Sequence, residues 1–569
     1  MASIVERTSS GGIIYRAADR GRDYPKLDLL TLLFDSPLSA GNEDAVLHAS
    51  AADPSRCSVT KAQLRTLVKR VAHTLRHDYG IGRSGPDKDV VLAISTGHYH
   101  LPTLFYSTVA AGGVFSASNP GSTPKELAGQ LTQVAVKLLF CNEDTKPTAI
   151  AAAKLANLPL SRVLCLSPIS SGDFSLTSLA TNSPITLSSS LLDWQRITSP
   201  DTLDNSTICI LFSSGTTGVP KACRLSHTNM VAEATLILGP NREHYAALNK
   251  PLVYRTVAHL PAAHIAGIQG YLVNPFYLGG TVYWMSRFDF PSFIENCKKY
   301  QVTHIFSVPP IYLAIAKSPL VTDHFDTLEQ AVSGAAPMGK ELQAAARRKL
   351  GKGKARLAQT WGLSETTGSV TFMPMGNPLE NDATGSVSML AAGVEAKIVD
   401  DDERDVEPGK EGEIWVRGPM ITKGYWGNEK ANKEAFSEKG GWFKTGDVAV
   451  FRDGLFYIVD RKKELIKYKG MQVAPAELEA LLISHPKILD AAVIGVEGEG
   501  TEVPRAYIVA DPRQVTAKEV ADWVAGQVGN HKKLRGGVVF LEAIPKSPSG
   551  KILRKDLRAL AAREKGSKL

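Results

Sequence analysis

Residues 213–221 read SSGTTGVPK, with Ser213, Ser214, Thr216 and Thr217 set around Gly215 and Gly218 and with Lys221 closing the run. Glycines let backbone amides approach an anion closely, hydroxyls donate to its oxygens, and a lysine adds positive charge, so the stretch reads as a phosphate-holding loop. It lacks the GxxxxGK[ST] spacing of the Walker loop. Taken alone it could also be a Ser/Gly-rich surface turn. Immediately after it, Ser226 is placed to cap a helix that begins at His227.

On either side of this loop, apolar strand-like runs such as Ile208–Phe212 and Val302–Val308 alternate with amphipathic helical stretches up to about residue 460, the pattern of α/β layers. Beyond 460 the pattern changes to a compact α+β unit. The spacing predicts a helix at 475–484, strands at 491–496 and 505–510, a helix at 516–528, a strand at 537–542 and a terminal helix. The expected organisation is a large multi-subdomain amino-terminal domain over 1–460 and a small α+β domain over 461–569. The charged segment Asp460-Arg461-Lys462-Lys463-Glu464 lies at the join as a candidate hinge. A chain of 569 residues exceeds the size at which one core keeps growing, which agrees with that division.

The composition excludes several classes. Hydrophobic residues at 43% and charged residues at 21% rule out collagen-like and disordered chains. The uncharged stretches around 89–123 and 265–286 are interrupted by His, Asn, Gln, Pro or Gly and read as buried elements rather than membrane spans. A net charge of +8 over this length is a mild bias that suits polyphosphate ligands and does not imply nucleic acid. The cysteines Cys57, Cys141, Cys165, Cys209, Cys223 and Cys297 show no CxxC pairing, so neither a zinc site nor a disulfide framework is expected. Glu6 and Arg7 stand where a signal peptide needs apolar residues.

Six further segments follow the loop or lead away from it in chain order: HLPAAHIAG from His259, SGAAPMGKEL from Ser333, QTWGLSETT from Gln359, GWFKTGD from Gly441, DRKKELIKYKGMQVAPAELE from Asp460, and PKSPSGKILRK from Pro545. Together they resemble the adenylate-forming acyl-CoA synthetases, closest in wording to the 4-coumarate:CoA ligase, luciferase and fungal peroxisomal aryl- and acyl-CoA ligase group. The resemblance spans about 25–560. It implies a two-step reaction in which a carboxylic acid and ATP give acyl-AMP and pyrophosphate, after which coenzyme A displaces AMP.

The resemblance also implies roles for residues. Lys221 and Lys551 would supply positive charge at the reacting phosphate, and Glu365 would hold a magnesium ion. Asp447 would accept the ribose hydroxyls, with Arg461 beside it. Ser333–Ala336, including Gly334 and Ala335, would wall the adenine, and Trp361 would stack on its other face, where most relatives carry Tyr. Gln359, Thr360, Gly362 and Ser364 complete the nucleotide set with Ser213–Gly218. For the second step Lys463 is the pivot, Lys467 and Gln472 would turn toward the reaction, and Lys469 and Gly470 would line the path of coenzyme A. His264 would gate the acyl pocket, and Ala266 and Gly267 would leave it open where phenylpropanoid ligases commonly have Tyr at the position of Ala266.

The chain ends Ser567-Lys568-Leu569, the tripeptide read by the peroxisomal import receptor, so a peroxisomal location is expected. Two alternatives stay open from the sequence: a luciferase-type oxygenase sharing the adenylation step, and a non-catalytic acyl- or nucleotide-binding relative. Loading of a carrier-bound phosphopantetheine is a third outcome, although no carrier-like segment follows the small unit.

Overall fold

The computed structural model describes residues 2–9, 11–19, 21–213, 220–380, 383–498, 500–547 and 550–566. The fold is mixed α/β, with a large amino-terminal part and a small carboxy-terminal one. Its largest sheet has eight strands in the spatial order Ser183–Pro184, Leu176–Ser178, Val163–Leu166, Leu138–Cys141, Val90–Ile94, Val114–Ser118, Thr207–Ser213 and Lys221–Ser226. The interior pairs are parallel and the edge pairs antiparallel. Strands Val90–Ile94 and Val114–Ser118 are buried at every position, as parallel strands covered on both faces must be.

Two smaller sheets sit against this layer. One orders Arg255–Ala258, Thr281–Trp284, Val46–Ser50 and Ser58–Thr60; the other is a parallel set of His304–Ser307, Gln330–Ser333 and Arg356–Gln359. Both contribute to one continuous core that includes Phe105, Phe276, Tyr271, Trp284 and Phe293. A six-stranded antiparallel sheet follows, ordered Ser3–Arg7, Ile13–Ala17, Glu395–Val399, Gly412–Arg417, Phe443–Arg452 and Leu455–Arg461. Its core holds Tyr15, Phe451 and Phe456 in mutual ring contact.

The helix His227–Ala247 starts where Ser226 predicts. The Ser226 hydroxyl accepts from the Asn229 backbone, and the Asn229 side chain accepts from the Ser226 N–H, closing a capping box. This helix follows the edge strand Lys221–Ser226 directly, and the expected phosphate loop falls in the chain between that strand and its antiparallel partner Thr207–Ser213. Residues 214–219 of that loop, including Ser214, Gly215, Thr216, Thr217 and Gly218, lie outside the described residues.

The carboxy-terminal unit packs the helices Pro475–Ser484, Ala517–Ala525 and Arg554–Gly566 on a sheet of Asp490–Gly498, Thr501–Val509 and Val538–Phe540, with a separate hairpin of Ile466–Tyr468 and Met471–Val473. The helix at 475–484 has the expected bounds. The first two strands form one longer hairpin than expected, paired from Asp490↔Val509 to Gly498↔Thr501. The helix expected at 516–528 spans Ala517–Ala525, with Thr516 as its N-cap. All six cysteines are buried free thiols. Among the described residues, no helix is long and apolar enough to cross a membrane.

Candidate active site

The geometry begins with a cross-strand pair. Strands Phe443–Arg452 and Leu455–Arg461 are joined at Asp453-Gly454, two residues with positive φ, which suits a two-residue hairpin turn. A bulge between Val448 and Ala449 shifts the register, so Asp447 faces Arg461. Without that extra residue Asp447 would face Asp460, and two like charges would oppose each other. Arg461 Nε lies 3.5 Å from Asp447 Oδ1, and the Trp361 indole N–H donates to Asp447 Oδ2 at 2.8 Å. Burial pushes the Asp447 carboxyl above its usual range, while Arg461, Trp361 and Lys551 each draw it back down.

The second carboxylate is Glu365, buried in the short 3-10 turn Ser364–Thr366. Thr366 Oγ1 accepts from Leu363 N and donates to Gly368 O, and Thr367 takes a left-handed φ of 58°, so the turn is tied at both ends. Gly362 lets this hairpin close, because a Cβ there would lie 1.6 Å from Gly368 O. The Tyr425 hydroxyl donates to Glu365 Oε1 at 3.0 Å. Lys221 Nζ lies 5.0 Å above the Tyr425 ring, so one aromatic side chain links the lysine that ends the expected phosphate loop to this carboxylate. Tyr425 was not singled out in the sequence. Its only signal there is position, in a GYWG stretch far from every other motif.

Lys551 comes from the carboxy-terminal unit. Ser547 N donates to Lys551 O at 2.8 Å, Lys551 N donates to Ser547 Oγ at 3.2 Å, and Gly550 turns with φ +79°. A Cβ on Gly550 would lie 3.0 Å from Val308 Cγ2 and 3.4 Å from Pro310 Cγ, so the turn is seated against the large part of the molecule. The half-buried Lys551 ammonium is held down to about 8, first by burial and then by the neighbouring Arg461 cation, with Asp447 and Glu365 opposing the shift. His264 is kept neutral, down to about 3, by burial and by Lys551. Asp447, Arg461, Glu365, His264 and Lys551 therefore share one electrostatic neighbourhood.

Around them stand residues with supporting positions. Gly334 packs between Phe306 and Thr360, where a Cβ would lie 3.2 Å from Phe306 Cζ and 3.3 Å from Thr360 Cγ2. Ala335 adopts φ 70°, an uncommon conformation for a residue with a side chain. Ser333 is buried at the end of its strand, followed by the half-exposed Ala336. Gln359 differs from expectation. Its amide oxygen accepts from Met338 N and its amide hydrogens go to Met338 O and Gln343 Oε1, so the side chain braces the 333–338 loop instead of reaching for a nucleotide. Thr360 Oγ1 donates to Thr371 O at 2.5 Å and is likewise engaged.

Gly267 also departs from its expected part. A Cβ at that position would lie 2.3 Å from Pro261 O and 2.7 Å from Ala262 Cα, so the missing side chain serves a close backbone approach and does not widen a pocket. Ala266 remains half-buried, with its N–H donating to His264 Nδ1 at 3.3 Å. Lys467 pairs with Gln472 across the small hairpin, and Lys469 and Gly470 form its two-residue turn with φ of 47° and 83°. All four are exposed, as is Lys463. Ser213 pairs with Lys221, so the two residues flanking 214–219 stand opposite each other. Ser567, Lys568 and Leu569 lie outside the described residues.

Comparison with known proteins agrees with this architecture. The AMP-binding enzyme family matches residues 40–426, and the AMP-binding enzyme C-terminal domain matches 477–551. The chain belongs to the AMP-binding enzyme family. It is 47% identical over 560 residues to a putative acyl-coenzyme A synthetase of Emericella nidulans, covering 96% of this chain and 98% of that one. It is 34% identical over 542 residues to the phenylacetyl-CoA ligase epaB of Aspergillus niger, covering 94% and 96%. Among solved structures, ATP-bound MatB from Rhodopseudomonas palustris superposes with a TM-score of 0.78 at 25% identity, covering 94% of this chain and 98% of that one.

Proposed function

We propose that this AMP-forming acyl-CoA ligase joins an aryl-substituted or medium-to-long-chain carboxylic acid to coenzyme A in two half-reactions at the site around Glu365 and Asp447. The observation that carries the reading is the placement of Lys551, brought from the carboxy-terminal unit into the neighbourhood of Asp447, Arg461 and Glu365. A lysine that only decorated the surface would not be desolvated there.

In the first half-reaction a carboxylate oxygen of the acid attacks the α-phosphorus of ATP, and the bond to pyrophosphate breaks. Such acids titrate near Glu and are already ionised at neutral pH, so no general base is needed. The obstacle is repulsion between anions, which fixed positive charge relieves. Lys551 and Lys221 supply that charge, Arg461 reinforces it, and Asp447, oriented by Trp361, accepts the ribose hydroxyls. Glu365 fits a magnesium site, since a buried carboxylate that accepts one hydrogen bond from Tyr425 keeps acceptor capacity for a cation. Magnesium characteristically takes one or two carboxylates plus phosphate oxygens and water. When bound, the ion would neutralise triphosphate charge.

In the second half-reaction the sulfur of coenzyme A attacks the acyl carbon, the bond to AMP breaks, and the thiol proton is released. AMP is a good leaving group, so no protein nucleophile is required. Movement about Lys463 would withdraw Lys551 and bring in the hairpin bearing Lys467, Lys469, Gly470 and Gln472. The neutral His264 would gate the acid's entry beside Ala266. Ser567-Lys568-Leu569 would direct the protein to the peroxisome through the import receptor.

The test is a panel of fatty, phenylacetic, cinnamic and branched acids, scored for pyrophosphate release and, by mass, for thioester. Thioester with AMP is the expected product. Acyl-AMP without thioester would replace coenzyme A by another acceptor, and no turnover on any acid would overturn the ligase reading. A fluorescent fusion lacking 567–569 is expected in the cytosol; continued punctate import would remove the peroxisomal assignment.

A further inference from the structure

Beside the Glu365 turn lies a cluster of buried polar side chains that no step above uses. Glu233 projects from the helix His227–Ala247 and Gln269 from the segment Ile268–Val273, and both are only 3% exposed. Asn274 opens the next helical turn. The Asn274 side chain and the Ser369 backbone lie against Glu233 and favour its ionised form, and Gln269 Nε2 donates to the Met230 thioether at 3.2 Å. That leaves Glu233 Oε2, Gln269 Oε1 and Asn274 Oδ1 buried with no hydrogen-bond partner among the described residues.

Gly368 shows that two of these side chains meet at one place. It has φ +112°, and a Cβ there would lie 3.4 Å from Glu233 Oε1, 3.9 Å from Gln269 Cγ and 3.7 Å from Ile265 Cγ1. Ile265 follows His264 in the chain, and Gly368 is three residues beyond Glu365. The cluster therefore borders the gating histidine on one side and the Glu365 turn on the other. A buried oxygen left unpaired is costly, and folded proteins leave few of them. A neutral Glu233 brings a single O–H, which serves at most one of its neighbours, so among the described residues this cluster at the edge of a reaction site still lacks donors.

We propose that Glu233, Gln269 and Asn274 form a polar end-subsite of the acyl pocket, selecting carboxylic acids that carry an O–H or N–H donor on the end remote from the reacting carboxylate. The proposal rests on the ligase reading above and narrows its substrate class. Burial pushes the Glu233 carboxyl up to about 8, so at neutral pH it is largely the neutral acid. In that form it accepts from a hydroxyl at its carbonyl oxygen without a charge being buried, whereas an amine would bind with the carboxylate ionised.

The test uses matched acids of one skeleton ending in methyl, hydroxyl or amine, both in an aliphatic and in a para-substituted phenyl series, with kcat/KM for thioester formation as the readout. The wild type is expected to prefer a donor-bearing acid at least ~10-fold over its methyl or unsubstituted partner, because buried polar groups left unpaired reject the analogue lacking the donor. Preference for the hydroxyl or for the amine arm identifies which donor the site takes. Glu233→Met is expected to bring that preference below ~3-fold by losing the donor-bearing acid alone, and Gln269→Leu supplies the same reading if Glu233→Met does not fold. Equal kcat/KM within each pair, or an unchanged preference in both variants, would overturn the proposal and leave the three oxygens to buried water. Failure to form any thioester would instead strike the ligase reading. The subsite would then be judged by melting temperature: a shift given only by donor-bearing acids, and lost in Glu233→Met, supports it, and equal or absent shifts refute it.

Discussion

Two lysine-bearing turns of the carboxy-terminal unit differ in their surroundings. Lys551, on the 547–551 turn, is half-buried beside Asp447, Arg461 and Glu365, with its ammonium pulled down to about 8. Lys467 and Lys469, on the 466–473 hairpin, are exposed, and Lys469 N donates to Thr501 Oγ1 of the same unit. One unit thus presents a dry charge and a wet one. A charge in a desolvated site acts far more strongly on a phosphate than the same charge in water. On the proposed reading this arrangement suits acyl-AMP formation, and the second turn would serve the thiol step.

The largest expected break in this contrast is Lys551→Ala. It should lower acyl-AMP formation by ~10²- to 10³-fold, the cost of one preorganised donor, while coenzyme A capture of supplied acyl-AMP survives. Equal losses in both half-reactions would erase the distinction between the turns.

A pH profile sharpens the same point. Because the folded-state value of Lys551 lies near 8, below that of an ordinary lysine, its active protonated form is complete below that pH and is lost above it. For acyl-AMP formation, kcat/KM should fall about tenfold for each pH unit beyond the limb, since this parameter reports the free enzyme. Lys551→Arg should move the limb beyond the accessible range. A limb unchanged in Lys551→Arg would assign it to another group.

Gly470→Val probes the wet turn. Its φ of +83° is strained for a β-branched residue, so the coenzyme A step should slow about 5- to 10-fold with acyl-AMP formation unaltered. A loss in adenylation instead would place this turn in the first step. The smallest effect is expected from Trp361→Phe, which keeps an aromatic plane but removes the 2.8 Å bond to Asp447, raising KM for ATP about 3- to 10-fold with little change in kcat. An unchanged KM would leave the indole N–H without a part in nucleotide binding.

Much of this was legible along the chain. The Ser226 cap, the helix at 475–484 and the alternation of strands and helices are set by contacts within a few residues, where spacing and side-chain type suffice. The motif segments likewise announced Asp447, Glu365 and Lys551 as candidates for one site. The misread positions were those where a small or polar residue serves the backbone. Gly267 reads as open space yet is occupied by the carbonyl of Pro261, and Gln359 reads as a ligand yet braces Met338 and Gln343.

By itself the sequence determined the α/β class, the order of the motifs and the charge types that adenylation needs, because these follow from composition and short-range pattern. Only the tertiary structure decided which charges meet. The bulge at Val448 turns Arg461, and not Asp460, toward Asp447. Tyr425, 60 residues beyond Glu365, closes on it only through packing. Glu233 and Gln269 come from separate segments that meet beside Gly368, and with Asn274 they carry oxygens left without a partner among the described residues, a feature that exists only in the folded state. Hydrogen-bond satisfaction is a property of three-dimensional neighbours, and neighbours distant in the chain are chosen by the packing of the whole core.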